Sequence, residues 1–354
     1  MAHRTLIGGT AYNITGGKSL VSGTVYDIKS GRILIGGTGY NINFGGPSTA
    51  MLYSDGNFIF QQGNNVEPGK TLVSQYTNFE DQSYSSYSTI PWSTHISNIK
   101  NVSFKNKTSP ISLSYWFYNA INLSTVNYNN LNLNNVTNMA YTYTNCNNLT
   151  GSPVCGDKVT SMSRTYRGCT RLKGSPVCGN NVTSMAYTYY ACYNLTGSPV
   201  CGNNVTGMNY AYYYCYNLTG SPVCGDKVTS MGCTYFGCNK LTGSPVCGNN
   251  VINMYETYYN CKNLASNGYF YSKNVSNMYR CFYNRNNSKR LNLYVPTNSK
   301  TLKTALTNNT YSMVGKNITW KNYVSYYGYY YNTTYNIYIY PVSNVAEARA
   351  NNGD

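Results

Sequence analysis

Charge is what this chain lacks most. Only 10% of its 354 residues are charged, and acids are the rarer kind, 10 against 26 Lys and Arg. Two histidines occur, His3 and His95, both outside the repeats described below. From Val136 to Leu264 the acids are Asp157, Asp226 and Glu256, each in a different repeat. If repeats stack at the strand spacing, Asp157 and Asp226 lie roughly 14 Å apart, wide for paired carboxylates. No P-loop, G-x-S-x-G or H-E-x-x-H is present, so catalysis finds no foothold and no cofactor is expected. No C-x-x-C pair offers a zinc site, and no metal is expected. No run of about 18 apolar residues occurs, so no membrane span is expected. The opening Met1-Ala-His-Arg-Thr-Leu-Ile-Gly-Gly has no apolar stretch of the kind a secretion signal needs. Lys-Glu helix formers are scarce while Tyr and Thr abound, which points to an all-β chain with many turns.

Low charge with 32 glycines would suit disorder, but 41 tyrosines and a strict period argue for a fold. The period is 23 residues, and the unit is V-T-x-M-x-x-x-Y-x-x-C-x-x-L-x-G-S-P-V-C-G-x-x. Val136, Val159, Val182, Val205, Val228 and Val251 open it, and Met139 to Met254, Cys146 to Cys261 and Leu149 to Leu264 keep step. A period of this length means a repeat solenoid, in which each coil buries its apolar side only against its neighbours. Constant positions point inward, including the tyrosine at 143, 166, 189, 212, 235 and 258, and variable ones face out.

The run Asn135-Val-Thr-Asn-Met139, then Tyr143, Cys146 and Asn148-Leu149-Thr150, resembles the BspA-like class of leucine-rich repeats. The resemblance covers roughly Leu113 to Leu291. It implies a curved solenoid with one short strand per coil, and binding rather than catalysis. The chain departs from that pattern at Leu149-Thr-Gly-Ser-Pro153-Val154, because a proline in every rung cannot donate to a strand ladder.

Four regions follow from the pattern. Residues 1–46 hold three 14-residue repeats, Leu6 to Ile14, Leu20 to Ile28 and Leu34 to Ile42, with Arg4, Lys18 and Arg32 in one phase. They read as hairpins too thin to bury a core, which suggests docking to another chain. Their Gly-Thr-x-Tyr-x-Ile openings are similar to the N-termini of tail-associated proteins of phages that infect Firmicutes. Residues 47–112 read as a β-rich lead-in and cap, with Trp92 covering the open end of the repeats. Residues 113–290 are the leucine-rich-repeat solenoid. Leu113, Trp116, Leu123, Val126 and Leu131 are placed in the 23-residue phase as a degenerate first coil, and Cys281 falls out of phase. Residues 291–354 read as a C-terminal β module and tail.

Thirteen cysteines are present, eleven of them at two repeat positions. Equivalent residues in stacked coils lie about 4.8 Å apart with parallel side chains, whereas a disulfide needs Cβ atoms at about 3.8 Å that converge. They are expected to be free, buried apolar groups, which suits a reducing cytosol. Asn148-Leu-Thr and Asn194-Leu-Thr match glycosylation sequons only because the repeat is rich in Asn and Thr.

The formal charge of +16 serves solubility, or attracts anionic surfaces such as cell-wall polymers, lipid headgroups or nucleic acid. The repeats carry scattered cations and no dense basic tract, which disfavours nucleic acid. The variable positions form a stripe of candidate binding residues: Tyr141, Arg164, Arg167, Tyr187, Tyr190, Tyr210, Tyr213, Tyr214, Phe236, Tyr255 and Tyr259. Tyr among Ser, Gly and Asn is the palette of adaptable binding surfaces, and Tyr faces also stack on sugar rings. A solvated ridge would explain the same positions but would be richer in Lys and Glu. The expected function is surface recognition without catalysis. The carrier is a phage tail fibre or tail tip assembled in the host cytoplasm and docked to other virion proteins through residues 1–46. The partner is a host surface glycan, anionic wall polymer or protein. A homo-oligomer fits the thin ribbon. The alternatives are a bacterial cell-surface adhesin and a purely structural virion or filament protein.

Overall fold

The computed structural model describes residues 47–306, 329–332 and 335–352, with the backbone alone of 321–324 and of six strands before residue 47. The protein is β-rich with few helices. Before residue 47 the strands form three antiparallel hairpins. They are β1 (His3–Ile7) with β2 (Thr10–Ile14), β3 (Lys18–Val21) with β4 (Thr24–Asp27), and β5 (Gly31–Ile35) with β6 (Thr38–Ile42).

Next comes a five-stranded sheet. β7 (Ser48–Tyr53) lies between β8 (Asn57–Gln62) and β9 (Leu72–Thr77), antiparallel to both. β10 (Asn101–Phe104) and β11 (Thr125–Asn127) then add in parallel beyond β8. Phe58, Phe60, Phe79, Trp92, Phe104 and Trp116 lock together on its inner side with ring centroids 4.8–6.0 Å apart. Trp92 is fully buried, and its indole Nε1 donates to the Trp116 carbonyl at 2.6 Å. In later copies that carbonyl, at Thr142 or Thr165, accepts a backbone N–H from the copy before. The first copy has no predecessor, so the indole satisfies a carbonyl that burial would otherwise orphan.

The register of that first copy differs from the phase read in the sequence. Leu113 N–H donates to Asn138 O as Met139 N–H donates to Ser161 O, and Phe117 stacks on Tyr143 at 5.5 Å. The offset is therefore 26 residues, the step from 117 to 143. Leu113, not Trp116, takes the methionine position, and buried Ala120 takes the cysteine position. The three extra residues lie between Leu123 and Val136, in the segment that carries β11 and packs Tyr128, Leu131 and Leu133 against the core.

Between Asn127 and Val246 no strand forms among the described residues. Instead single parallel bridges join Ser112, Asn138, Ser161, Ser184, Gly207, Ser230, Asn253 and Asn277, one rung per copy. Backbone amides alternate in their duty. Met139, Tyr141, Tyr143 and Asn145 donate to carbonyls of the next copy at 2.7–3.0 Å, while Thr142, Thr144 and Cys146 turn back three residues within their own copy. This alternation requires left-handed backbone two residues after each methionine position and one before each cysteine position. Examples are Tyr141 (φ 62°), Asn145 (φ 61°), Tyr210 (φ 58°) and Tyr214 (φ 60°).

The interior follows the period. Every Val, Met, Tyr, Cys and Leu of the core positions is buried. The inner tyrosines stack at 5.4–5.6 Å from Tyr143 to Tyr258. The Tyr143 hydroxyl meets that of Tyr128 at 3.3 Å, and from Tyr166 on each phenol also resolves the problem set by the proline. The Tyr212 hydroxyl accepts from Val200 N–H at 3.0 Å and donates to Val200 O at 2.7 Å. Tyr166, Tyr189, Tyr235 and Tyr258 do the same for Val154, Val177, Val223 and Val246. The Ser-Pro-Val-Cys segment thus forgoes a strand ladder, and a side chain pairs the peptide groups the ladder would have used. Ladder pairing resumes where Gly268 replaces the proline: Tyr269 N–H donates to Pro245 O at 2.8 Å, and β12 (Val246–Cys247) pairs with β13 (Asn267–Phe270).

The cysteines are free, as their parallel placement implies. They are more than apolar filler, however. The buried thiols of Cys169, Cys192, Cys215, Cys238 and Cys261 each donate to the inner-tyrosine carbonyl of the copy before, at 2.9–3.1 Å. Thr165, Thr188, Thr234 and Thr257 run a parallel ladder to the methionine carbonyls. On the outside, Asn148, Asn194, Asn217 and Asn263 donate their side-chain amides to the preceding copy, which gives the repeat a structural use for its asparagines.

β14 (Leu291–Pro296) extends the sheet of β12 and β13 in parallel. After α1 (Lys300–Leu306), β15 (Lys321–Val324) and β16 (Tyr329–Asn332) join antiparallel, and β17 (Ile337–Val342) lies parallel beside β14. The sheet therefore runs without a break through residue 291. α2 (Val345–Asn351) follows, capped by the Asn344 side chain on the N–H groups of Ala346 and Glu347. Cys281 takes the threonine position of the last copy, which puts Phe282 on Tyr258 at 5.5 Å.

Candidate binding face

The stripe residues all lie half-buried along one side of the stack, and most fall into two columns. The first column occupies the left-handed position after each methionine. It begins with Tyr115 stacked on Tyr141 at 4.6 Å. Arg164 follows, its guanidinium 5.2 Å from the Tyr141 ring and 4.7 Å from Tyr187, with Nη1 donating to the Tyr141 hydroxyl at 2.6 Å. Tyr187 stacks on Tyr210 at 4.6 Å. Buried Cys233 then interrupts the aromatics, its Sγ 3.8 Å from Glu256 Oε2, and Glu256 pairs with Arg280 at 3.7 Å.

The second column stands three residues further on. Arg167 lies over Tyr190 at 5.3 Å. Tyr190, Tyr213, Phe236, Tyr259 and Tyr283 continue with centroids 4.7, 4.6, 4.1 and 4.8 Å apart. Tyr214 sits beside this column, 4.3 Å from Tyr213 and 5.3 Å from Phe236. Its ring fills the space a side chain at position 237 would need: a Cβ added at Gly237 would meet Tyr214 Cδ1 at 2.6 Å. Tyr255 belongs to neither column and stacks on Tyr279 at 5.4 Å.

This geometry corrects one expectation. Rings at 4.1–4.8 Å spend their faces on one another, so Tyr190, Tyr213 and Phe236 cannot offer those faces to a sugar ring. What remains for a partner is ring edge, hydroxyl and guanidinium rim. Tyr210 and Tyr213 keep their phenolic protons. Hydrogen bonding with Cys233, then burial, raises the Tyr210 pKa, and burial, then the Tyr214 hydroxyl, raises that of Tyr213. The Cys233 thiol is pushed up to about 12, chiefly by burial, and stays neutral.

The stripe is longer than the sequence reading made it. Tyr115 and Tyr118 precede it, and Tyr279, Arg280 and Tyr283 extend it. Arg280 and Tyr283 stand two and five residues after Met278, so the methionine spacing could have found them. Tyr115 and Tyr118 hold the same spacing from Leu113 and were hidden by the 26-residue first copy.

Among the described residues no group of three or more His, Cys, Asp or Glu could hold a metal ion. No helix among them is long and apolar enough to cross a membrane. His95 is held against Tyr76, its Nδ1 3.0 Å from the hydroxyl, away from the stripe. No curated protein and no solved structure matches the chain. Residues 111–221 match the model of a family described as "Mycoplasma protein of unknown function, DUF285", a family associated with BspA-like repeat proteins.

Proposed function

We propose that the repeats form a β-solenoid of BspA-like leucine-rich-repeat type whose aromatic and arginine stripe recognises a surface, without catalysis and without a cofactor. The observation that carries this reading is the stripe itself. Tyr141, Arg164, Tyr187, Tyr210 and Tyr214 occupy left-handed backbone that costs a non-glycine side chain roughly 1 kcal/mol or more, and the second column stacks beside them. A plain solvated ridge has no need of half-buried rings there. The partner is a host-surface glycan, anionic wall polymer or protein, met by ring edges and hydroxyls. The hairpins of residues 1–46 dock the chain to other virion proteins of a phage tail, or join copies into a homo-oligomer.

A second reading, a bacterial cell-surface adhesin, is favoured by the match of residues 111–221 to a Mycoplasma family. Mass spectrometry of density-purified virus particles against washed cell envelopes separates the two. Recovery in particles supports the tail reading, and recovery only in envelopes overturns it. Replacing Tyr190, Tyr213 and Tyr214 by serine should abolish attachment under both. Attachment that survives makes the repeats a purely structural spacer.

A further inference from the structure

Two of the stripe's three arginines, Arg164 and Arg167, sit in one copy, at the first and second columns, and both rest on tyrosine rings. We propose that Arg164 and Arg167 form an oxyanion-binding subsite for the acidic groups of a charged saccharide, a proposal that rests on the stripe being the recognition face.

A guanidinium carries five N–H donors in one plane. Tyr141 and Tyr187 flank that of Arg164 at 5.2 and 4.7 Å, and among the described residues its one side-chain hydrogen bond runs from Nη1 to the Tyr141 hydroxyl. Stacking holds the group in place while leaving most of its rim unspent. Held guanidinium rims bind carboxylate and phosphate in two-pronged fashion. Arg167 is propped in the same way on Tyr190. Neither arginine forms an ion pair among the described residues. Arg280, in the first column, has its charge answered by Glu256 at 3.7 Å. Among the described residues the fold therefore neutralises one stripe arginine and leaves two adjacent ones half-buried without a carboxylate. An anion from outside completes them.

The stripe also argues for a saccharide over nucleic acid. Bases bind such columns by stacking on open aromatic faces. Here neighbouring rings at 4.6–4.7 Å cover those faces, and hydroxyl edges suited to sugar hydroxyls remain.

The test is calorimetric titration of the full chain with three probes: an oligogalacturonate, a phosphorylated mannan oligosaccharide and a neutral mannan oligosaccharide. At least one acidic probe should bind more tightly than the neutral one and weaken as salt rises. The double variant Arg164→Gln, Arg167→Gln should lose roughly tenfold to a hundredfold in affinity for it. Arg164→Lys with Arg167→Lys should fall between, because an ammonium keeps the charge and loses the stacked plane. Arg171→Gln should bind as the parent does. Carboxylate and phosphate sources are told apart by which acidic probe binds. Equal binding of acidic and neutral probes, or an undiminished glutamine variant, overturns the subsite. If envelope attachment survives in the arginine variants and is lost in Tyr190→Ser, Tyr213→Ser, the subsite fails while the recognition face stands. If no variant alters attachment, both fail.

Discussion

Two sets of tyrosines run along the same stack and obey different rules. The inner column never varies from Tyr143 to Tyr258, and its rings sit 5.4–5.6 Å apart. The outer columns stack more closely, at 4.1–4.8 Å, yet admit Arg, Thr, Phe, Cys and Glu. Tighter stacking thus goes with looser sequence. The difference lies in the hydroxyl. From Tyr166 to Tyr258 it is the partner of a valine N–H and C=O that nothing else reaches; phenylalanine takes the inner position only at the ends, at Phe117 and Phe282, where no such valine pair is served. Outside, no valine peptide pair depends on the hydroxyl, and any flat or slender group can take a rung.

The largest break in this contrast comes from emptying one inner position. Tyr212→Ala should cost about 3–5 kcal/mol for the cavity, and more for the stranded Val200 peptide groups, read as a shift in the denaturation midpoint. Tyr212→Phe keeps the ring and should still cost about 1–3 kcal/mol. A neutral Tyr212→Phe would show that the valine groups find other partners. Trp92→Phe is the matching test at the end of the stack. It removes the donor to Trp116 O, should cost about 1–3 kcal/mol, and should speed hydrogen exchange at residues 113–120 before it touches the central copies.

High pH probes the partly buried cysteines of the Pro-Val-Cys-Gly segments that the inner hydroxyls reach. Burial pushes the Cys201 thiol up to about 11 and those of Cys178 and Cys224 up to about 12. Folding therefore favours the protonated thiols. Their contribution is fully present below the ordinary thiol value near 9 and fades as pH climbs from there through about 11 and 12. Unfolding midpoints should fall above pH 9, and Cys201 should alkylate before Cys178 and Cys224. Rapid labelling of all three at pH 8 would contradict the burial described.

Removing residues 182–204, one whole period, should leave a folded chain, because every ladder finds an equivalent rung. Removing half a period should not.

The smallest stability effect belongs to the outer columns. Tyr213→Ser should cost only about 1 kcal/mol, the scale of an aromatic pair, while weakening attachment strongly.

Much of this division was legible in the sequence. Constancy at 143, 166, 189, 212, 235 and 258 assigns the core, and variation marks the stripe. Periodicity says only which way a residue points. It cannot say that Tyr212 reaches Val200, because that bond links two constant positions in neighbouring segments. Nor does it reveal that the outer rings cover one another. That depends on left-handed backbone at Tyr141 or Tyr210, which residues such as Tyr seldom adopt. The proline at 153 correctly warned of a missing strand ladder, and what replaced the ladder was invisible. The first copy was misregistered because Trp116 falls where the 23-residue phase asks for an apolar residue.

The most direct test of the account sets stability against attachment in one variant. Tyr190→Ser, Tyr213→Ser, Tyr214→Ser should unfold within a few kcal/mol of the parent and fail to bind washed host envelopes. A variant that folds as well as the parent and binds as well would show that the outer columns only brace the stack, and the recognition reading would fall.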